Sequence, residues 1–202
     1  MNDSFTFASV PESLTWKNQP SQSTIDARGQ LSITTGAQTD WFRDPAGEHV
    51  KENAPIALFV PPDSVFRLQA KVTVEFASTY DAGTLFVFIH DALWAKLCFE
   101  YSLQQQPMIV SVVTRGVSDD CNSVSVGDRS VYLRIYRQSD VLAFHYSLDG
   151  QYWHFVRHFS LGSLEQARVG FSTQSPTGQG CRAVFSEIRY TPGALSDLRN
   201  GE

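Results

Sequence analysis

An aromatic ring, a cation and an anion alternate along one short stretch, Trp94-Ala-Lys-Leu-Cys-Phe-Glu100. Successive side chains of a β-strand point to opposite faces, so Trp94, Lys96, Cys98 and Glu100 would share one face. The alternate set, which runs from Ala95 to Tyr101, is apolar or aromatic and predicts a core face. A row of mixed aromatic and charged side chains is unusual for a plain solvated surface. We therefore interpret the first face as a candidate binding surface.

The next strand-like run could add a second cation to this surface. Met108 to Arg115 is largely apolar and ends on Arg115, so pairing of the two strands could bring Arg115 near Lys96 and Glu100. Residues from neighbouring loops and strands would form a rim. The complete predicted ligand-binding set is Trp94, Lys96, Glu100, Arg115, Asp119, Tyr80, His145, Phe88 and Trp41.

The strand-like run Gly83–His90 is apolar on both faces and so needs cover on both. One explanation is a groove that binds a ligand, where aromatic faces and convergent polar groups suit carbohydrate. The other is plain packing, in which the long irregular segment Arg43–Ala54, together with Trp41 and Phe42, folds over this face. The sequence leaves both explanations open.

An enzyme is the alternative to a binding protein. Glycosidases use two carboxyl groups about 5–5.5 Å or 6.5–9.5 Å apart. Glu100 is the only carboxylate on its strand, and Lys96 lies roughly 13 Å along it at ~3.3 Å per residue. A second carboxyl group would have to come from Asp119, Asp120 or Asp81. We expect no catalytic residue, with Glu100 as general acid or base beside Asp119 as the alternative.

Metal and thiol chemistry have little support in the sequence. The five histidines are scattered and no Asp-x-Asp spacing suggests a calcium loop, so we expect no metal and no cofactor. Three cysteines without CxxC spacing favour a reducing, cytoplasmic setting. Cys98 would be an inert small hydrophobe.

Charge and hydropathy exclude other classes of protein. The 202-residue chain has a net charge of −5 and no run of Lys or Arg, which argues against nucleic-acid binding. No apolar stretch reaches the ~18–20 residues that a membrane helix needs. The first residues lack the basic and apolar segments of a signal peptide. We expect a cytoplasmic protein that binds neither nucleic acid nor membrane.

Alternation with a period of two dominates the chain and predicts an all-β antiparallel sandwich of two sheets. Its clearest example is Val65–Phe76, and Asp149-Gly150 between two such runs predicts a hairpin. Ser160–Ala167 could hold one helical turn, and residues 191–202 could form a short helix or be disordered. With no linker, residues 1–202 should form one domain. The other predicted strands are Leu31–Thr35, Ile56–Val60, Gly83–His90, Trp94–Tyr101, Met108–Arg115, Val131–Arg137, Val141–Leu148, Tyr152–Phe159, Ala167–Thr173 and Ala183–Tyr190.

Motifs across most of the chain resemble one family. They are Thr39-Asp-Trp-Phe-Arg-Asp-Pro45, Tyr80-Asp-Ala-Gly83, Trp94-Ala-Lys96 with Glu100, Ser111-Val-Val-Thr-Arg115 with Ser118-Asp119, and Ser147-Leu-Asp-Gly150 with Trp153 and Arg157. Their order resembles the concanavalin A-like domain-of-unknown-function family that includes "regulation of enolase" proteins. The resemblance implies a jelly-roll sandwich of the lectin and glucanase type. It also implies a small cytosolic protein that influences an enolase, or a related module that can accompany glycoside hydrolases. We expect the partner to be an enolase, another protein or a carbohydrate. It supplies no catalytic residue.

Overall fold

The computed structural model describes residues 4–202, and all regular structure in this part of the chain is β-strand. No helix in residues 4–202 is long and apolar enough to cross a membrane. The strands are β1 (Ser4–Phe5), β2 (Leu14–Lys17), β3 (Gln22–Ile25), β4 (Leu31–Thr35), β5 (Trp41–Arg43), β6 (Val50–Glu52), β7 (Ile56–Phe59), β8 (Val65–Val74), β9 (Ala82–His90), β10 (Leu93–Tyr101), β11 (Pro107–Arg115), β12 (Val117–Ser125), β13 (Ser130–Gln138), β14 (Val141–Ser147), β15 (His154–Phe159), β16 (Arg168–Gln174) and β17 (Cys181–Pro192).

Two large antiparallel sheets face each other. The eight-stranded sheet has the order β1-β2-β7-β16-β9-β10-β11-β12, and the seven-stranded sheet has the order β15-β14-β13-β8-β17-β4-β3. Strands β5 and β6 form a separate hairpin. The predicted all-β, two-sheet jelly-roll sandwich is therefore confirmed.

The main core fills the space between the inner faces of the two sheets. The sequence of β8 explains this arrangement, because every second residue is apolar and buried while the residues between are half-exposed. Phe66 and Leu68 of β8 pack in the same buried cluster as Leu97 and Phe99 of β10. Burying one face of each sheet in this way removes apolar surface from water, which is the main stabilising term in folding.

All eleven predicted strands exist, with ends that differ by a few residues. The sequence missed β1, β2, β3, β5, β6 and β12. Strand β12 runs through Ser118-Asp-Asp-Cys-Asn-Ser123, which has no hydrophobic alternation because the strand lies at a sheet edge and is almost wholly exposed. The helical turn suggested for Ser160–Ala167 is absent, and residues 193–202 form turns rather than a helix.

Candidate functional site

The outer face of the eight-stranded sheet carries a second apolar cluster, covered by the β5–β6 hairpin. Trp41 of the hairpin packs edge-on against Phe86, Phe88 and Trp94, with ring centroids 6.0, 5.6 and 6.1 Å apart. The indole Nε1 of Trp41 donates to the Ala54 carbonyl oxygen at 2.8 Å. Trp41, Phe88 and Trp94 are therefore buried packing residues, and at this end of the face the packing explanation holds.

The hairpin leaves a pocket of about 560 Å³ beside this cluster, over the middle of β10 and β11. A pocket of this size lies in the range of small-molecule sites. Of the nine predicted binding residues, it brings together Lys96, Glu100 and Tyr80. The complete lining is Asp40, Phe42, His49, Lys51, Tyr80, Lys96, Glu100, Ser102, Leu103, Gln104, Val110, Val112, Asp120, Asn122, Gln174, Pro176 and Thr177.

Lys96 ties the covering hairpin to the sheet. Its Nζ donates three hydrogen bonds, to Asp40 Oδ1 at 3.0 Å, the Trp41 carbonyl oxygen at 2.8 Å and Gln174 Oε1 at 2.7 Å. The side chain is buried. Burial alone would lower its pKa, but the charge of Asp40 and other nearby groups raise the pKa of Lys96 above its usual value. All three N–H bonds of the ammonium group are thus engaged in hydrogen bonds within the protein, and the group stays charged.

Gln174 links this ion pair to Glu100. Its Nε2 donates to Glu100 Oε2 at 3.4 Å and to the Tyr80 carbonyl oxygen at 3.3 Å. Because the Gln174 Oε1 accepts from Lys96, the amide has a fixed orientation, with its donor side towards Glu100. The result is a connected polar network from the hairpin to Glu100 at the wall of the pocket.

Glu100 is a buried carboxyl group that stays protonated at neutral pH. Desolvation raises its pKa to about 8; the charge of Lys96 opposes this rise, while Asp40 and Asp120 add to it. A neutral carboxyl group can both donate and accept a hydrogen bond. At the wall of a pocket, this pair of functions suits a ligand hydroxyl group.

Cys98 lies between Lys96 and Glu100 on the same face of β10. Burial raises the pKa of its thiol far above its ordinary value. The thiolate, which is the reactive form, is therefore scarcely populated. This placement agrees with the predicted role of Cys98 as a small apolar residue, and all three cysteines are free.

The sequence did not predict several of the residues that line the pocket. Asp40 lies within a quoted motif, but its partner Lys96 is 56 residues away, and only the fold brings them together. Gln174 is one residue past the predicted end of its strand. Asp120 and Asn122 lie on β12, where their register opposite Val112 and Val110 places them on the pocket face.

Arg115 and Asp119 lie on the opposite face from the pocket, so their predicted place beside Lys96 is wrong. Lys96 pairs with Val112, and Arg115 is three residues further along β11, which gives it the other orientation. Its guanidinium donates to the Ser160 carbonyl oxygen. Asp119, opposite Val113, forms a salt bridge with Arg157 of β15 at 3.0 Å. Asp119 thus connects the two sheets along one edge, and Arg115 connects β11 to the loop that follows β15.

Replacing Asp119 with asparagine should lower the free energy of unfolding by less than about 1 kcal/mol, since a largely exposed ion pair contributes little. The carboxylate side chain is 63% exposed. Chemical denaturation of the variant measures the loss. A loss above about 2 kcal/mol would show that this edge contact stabilises the sandwich far more than its exposure indicates.

His145 lies on the other sheet, away from the pocket. It is on the outer face of β14, where Nε2 donates to the Leu198 carbonyl oxygen at 2.8 Å. Burial is the main cause that lowers the pKa of His145. Its predicted place at the rim is therefore wrong, because β14 belongs to the seven-stranded sheet.

The carboxyl groups that the enzymatic alternative would pair with Glu100 have other partners or lie on another strand. Asp119 faces away, and both oxygens of Asp81 accept hydrogen bonds, from the Ala77 and Ser78 amides and from the Ser175 hydroxyl. Asp40 accepts from Lys96 and from the Trp41 amide. The backbones of Asp120 and Lys96 are two strands apart, about 10 Å at ~4.8 Å per strand. Glu100 is four residues further along β10 than Lys96, so its backbone is farther still from that of Asp120.

One group in residues 4–202 offers metal-ligand atoms within 4.8 Å of one another: Asp44, Glu48 and His49, at the end of the hairpin. Asp44 Oδ2 accepts the Glu48 amide hydrogen at 2.9 Å. The His49 ring packs against Phe42, with centroids 5.7 Å apart. These contacts account for the shape of the loop.

Comparison with known proteins agrees with the resemblance noted in the sequence. Residues 16–193 match the family model described as "Protein of unknown function (DUF1349)". The chain is 30% identical over 188 residues to Regulation of enolase protein 1 of Saccharomyces cerevisiae, which covers 91% of this chain and 93% of that protein.

Solved structures share the fold. A functionally unknown protein from Saccharomyces cerevisiae superposes with a TM-score of 0.82 at 28% identity, over 90% of this chain and 97% of that one. A GH43 protein from Bacillus licheniformis gives a TM-score of 0.72 at 17% identity, over 90% of this chain but only 36% of that one. At that identity the second likeness concerns the fold alone. The family model spans almost the whole sandwich, and the chain therefore belongs to the DUF1349 family.

Proposed function

We propose that this chain is a non-enzymatic, cytoplasmic binding protein whose pocket over β10 and β11 takes a carbohydrate. The observation that carries the proposal is the composition of the pocket. Val110 and Val112 provide an apolar floor, and Phe42 and Tyr80 provide rings at the rim. Glu100 and the polar residues near it complete the wall.

Sugars present both apolar C–H faces and rows of hydroxyl groups. The apolar floor and the rings suit the first, and planar side chains suit the second. Glu100 in its neutral form, from β10, and Asp120 and Asn122, from β12, supply such planar groups in the pocket lining. Lys96 contributes no free donor, because its three N–H bonds are already used. Lys96 is therefore not a contact for an anionic group of a sugar.

A glycan array, followed by calorimetric titration of the best glycan, tests the proposal. Replacing both Asp120 and Asn122 with alanine should weaken binding by about 10-fold or more, because two hydrogen-bonding groups of ~1 kcal/mol each are lost. Both side chains are exposed on an edge strand, so the fold should tolerate the change.

Ser123→Ala is the matched control, since Ser123 is exposed on the same strand and is absent from the pocket lining. It should bind as the wild type does. An array without any binder would refute the carbohydrate proposal, and so would a glycan that binds the double alanine variant as tightly as the wild type.

Binding to an enolase is a second candidate, favoured by the name of the 30% identical relative. In this case the ligand would be the surface of another protein rather than a sugar. A pull-down of purified enolase by the wild-type chain tests it, with the Asp120/Asn122 double variant alongside. Retention of enolase by both proteins would place the partner outside the pocket. No retention by either protein would contradict this candidate.

A further inference from the structure

Among the residues that the structure describes, three arginines on the outer face of the seven-stranded sheet have no acidic partner within salt-bridge distance. Arg67 on β8, Arg134 on β13 and Arg189 on β17 share one face around Gln69, which lies opposite Arg134 on one side and Arg189 on the other. Within residues 4–202, none of the three forms a salt bridge. In a chain of net charge −5, a cluster of unneutralised arginines is unexpected.

Arg134 has only neutral partners. Its Nη1 donates to the Gly201 carbonyl oxygen at 2.6 Å, while Nε and Nη2 donate to Gln69 Oε1 at 3.3 and 3.1 Å. The guanidinium lies 3.5 Å from the centre of the Trp153 ring. Burial, followed by repulsion from Arg67, lowers the pKa of Arg134 to about 9.

Arg67 has a buried donor without an acceptor. Its Nε is shielded from solvent and makes no hydrogen bond. In the sheet register, Arg67 lies opposite Tyr136 on one side and Thr191 on the other. Arg134 and Arg189 are two residues from these partners and are therefore diagonal neighbours of Arg67, with Cα atoms roughly 7–8 Å from its Cα atom.

A nearby carboxylate, Glu187, accepts from the Tyr132 hydroxyl at 2.9 Å and lies 3.9 Å from Lys71. It is therefore already engaged by other residues.

We propose that Arg67, Arg134 and Arg189 form a site for a doubly charged oxyanion of the phosphate type. Guanidinium groups bind such oxygens through paired, charge-assisted hydrogen bonds. Arg67, half-exposed, and Arg189, exposed, would contact the anion, and the buried Arg134 would add its charge. The anion would relieve the repulsion between the arginines. This site lies on the other sheet from the carbohydrate pocket and is independent of it.

Titration with inorganic phosphate at constant ionic strength tests the site. The side-chain Nε–Hε resonance of Arg67 should shift to saturation, and the Trp153 indole resonance should follow. Arg67→Gln and Arg189→Gln should each weaken phosphate binding by about tenfold or more, since each removes a charged contact. Arg28→Gln, an exposed loop position with the same change in charge, should leave binding within about twofold.

Thermal unfolding of the three variants establishes that each is folded, and the positions are exposed or half-exposed. A phosphate response that does not saturate would overturn the proposal. So would equal weakening by Arg28→Gln, or unchanged binding in both Arg67→Gln and Arg189→Gln. Acetate that binds as tightly as phosphate would overturn the assignment to a doubly charged anion.

Discussion

Replacing Lys96 with methionine should lower the free energy of unfolding by about 3–5 kcal/mol, the usual cost of removing one partner of a buried ion pair. Methionine keeps most of the length of the side chain but has no charge and no donor. The Asp40 carboxylate, the Trp41 carbonyl oxygen and Gln174 Oε1 would all lose the hydrogen bond from Lys96. Urea denaturation, followed by tryptophan fluorescence, measures the loss.

Lys71→Met is the matched control for this prediction. Lys71 is 35% exposed, and its nearest carboxylate oxygen, on Glu187, is 3.9 Å away. Its replacement should cost less than about 1 kcal/mol. If Lys96→Met were no more destabilising than Lys71→Met, Lys96 would not be the residue that holds the hairpin on the sheet.

Replacing Glu100 with glutamine should stabilise the protein at alkaline pH and leave its stability unchanged near pH 4.5. In the folded chain the pKa of Glu100 is raised from 4.5 to about 8. Between these values the unfolded chain loses the proton while the folded chain keeps it, so wild-type stability falls as pH rises. At about 1.36 kcal/mol per pKa unit, the cost above pH 8 is of the order of 3–5 kcal/mol. Glutamine has no such cost.

Denaturation of both proteins across pH 4.5 to 9 measures this effect as a difference in unfolding free energy. The difference should be near zero at the acid end, grow through neutral pH and level off above about pH 8. Taking the difference cancels the titration of all other groups that the two proteins share. A difference that stays constant with pH would mean that Glu100 ionises in the folded protein much as it does in the unfolded chain.

The strands could be predicted where burial imposes a pattern. Strand β8 alternates because one of its faces is buried, and its start at Val65 was predicted correctly. Strand β12 is nearly all exposed, so no alternation marks it. Strand β6 lies within the segment Arg43–Ala54 that the sequence predicts as irregular, and β5 at its start is missed too, because three residues are too few to show a period.

The site could be predicted only in part, for a geometric reason. The alternation along β10 correctly placed Lys96 and Glu100 on one face and identified Glu100 as alone on its strand. It could not give the pairing register with β11, which turns Arg115 to the other face. Nor could it show that Trp94 lies under Trp41 rather than at a ligand, since an aromatic residue suits both roles.

Mapping of amide chemical shifts during titration with the best glycan tests most directly the claim that the pocket over β10 and β11 is the binding site. The largest shifts should fall on the hairpin around Phe42 and His49, on Ser102 to Gln104, and on Asp120, Asn122 and Gln174. Amides of the outer face of the seven-stranded sheet, such as His145, should stay unchanged. Saturating shifts confined to that other face, with none around the pocket, would contradict the claim.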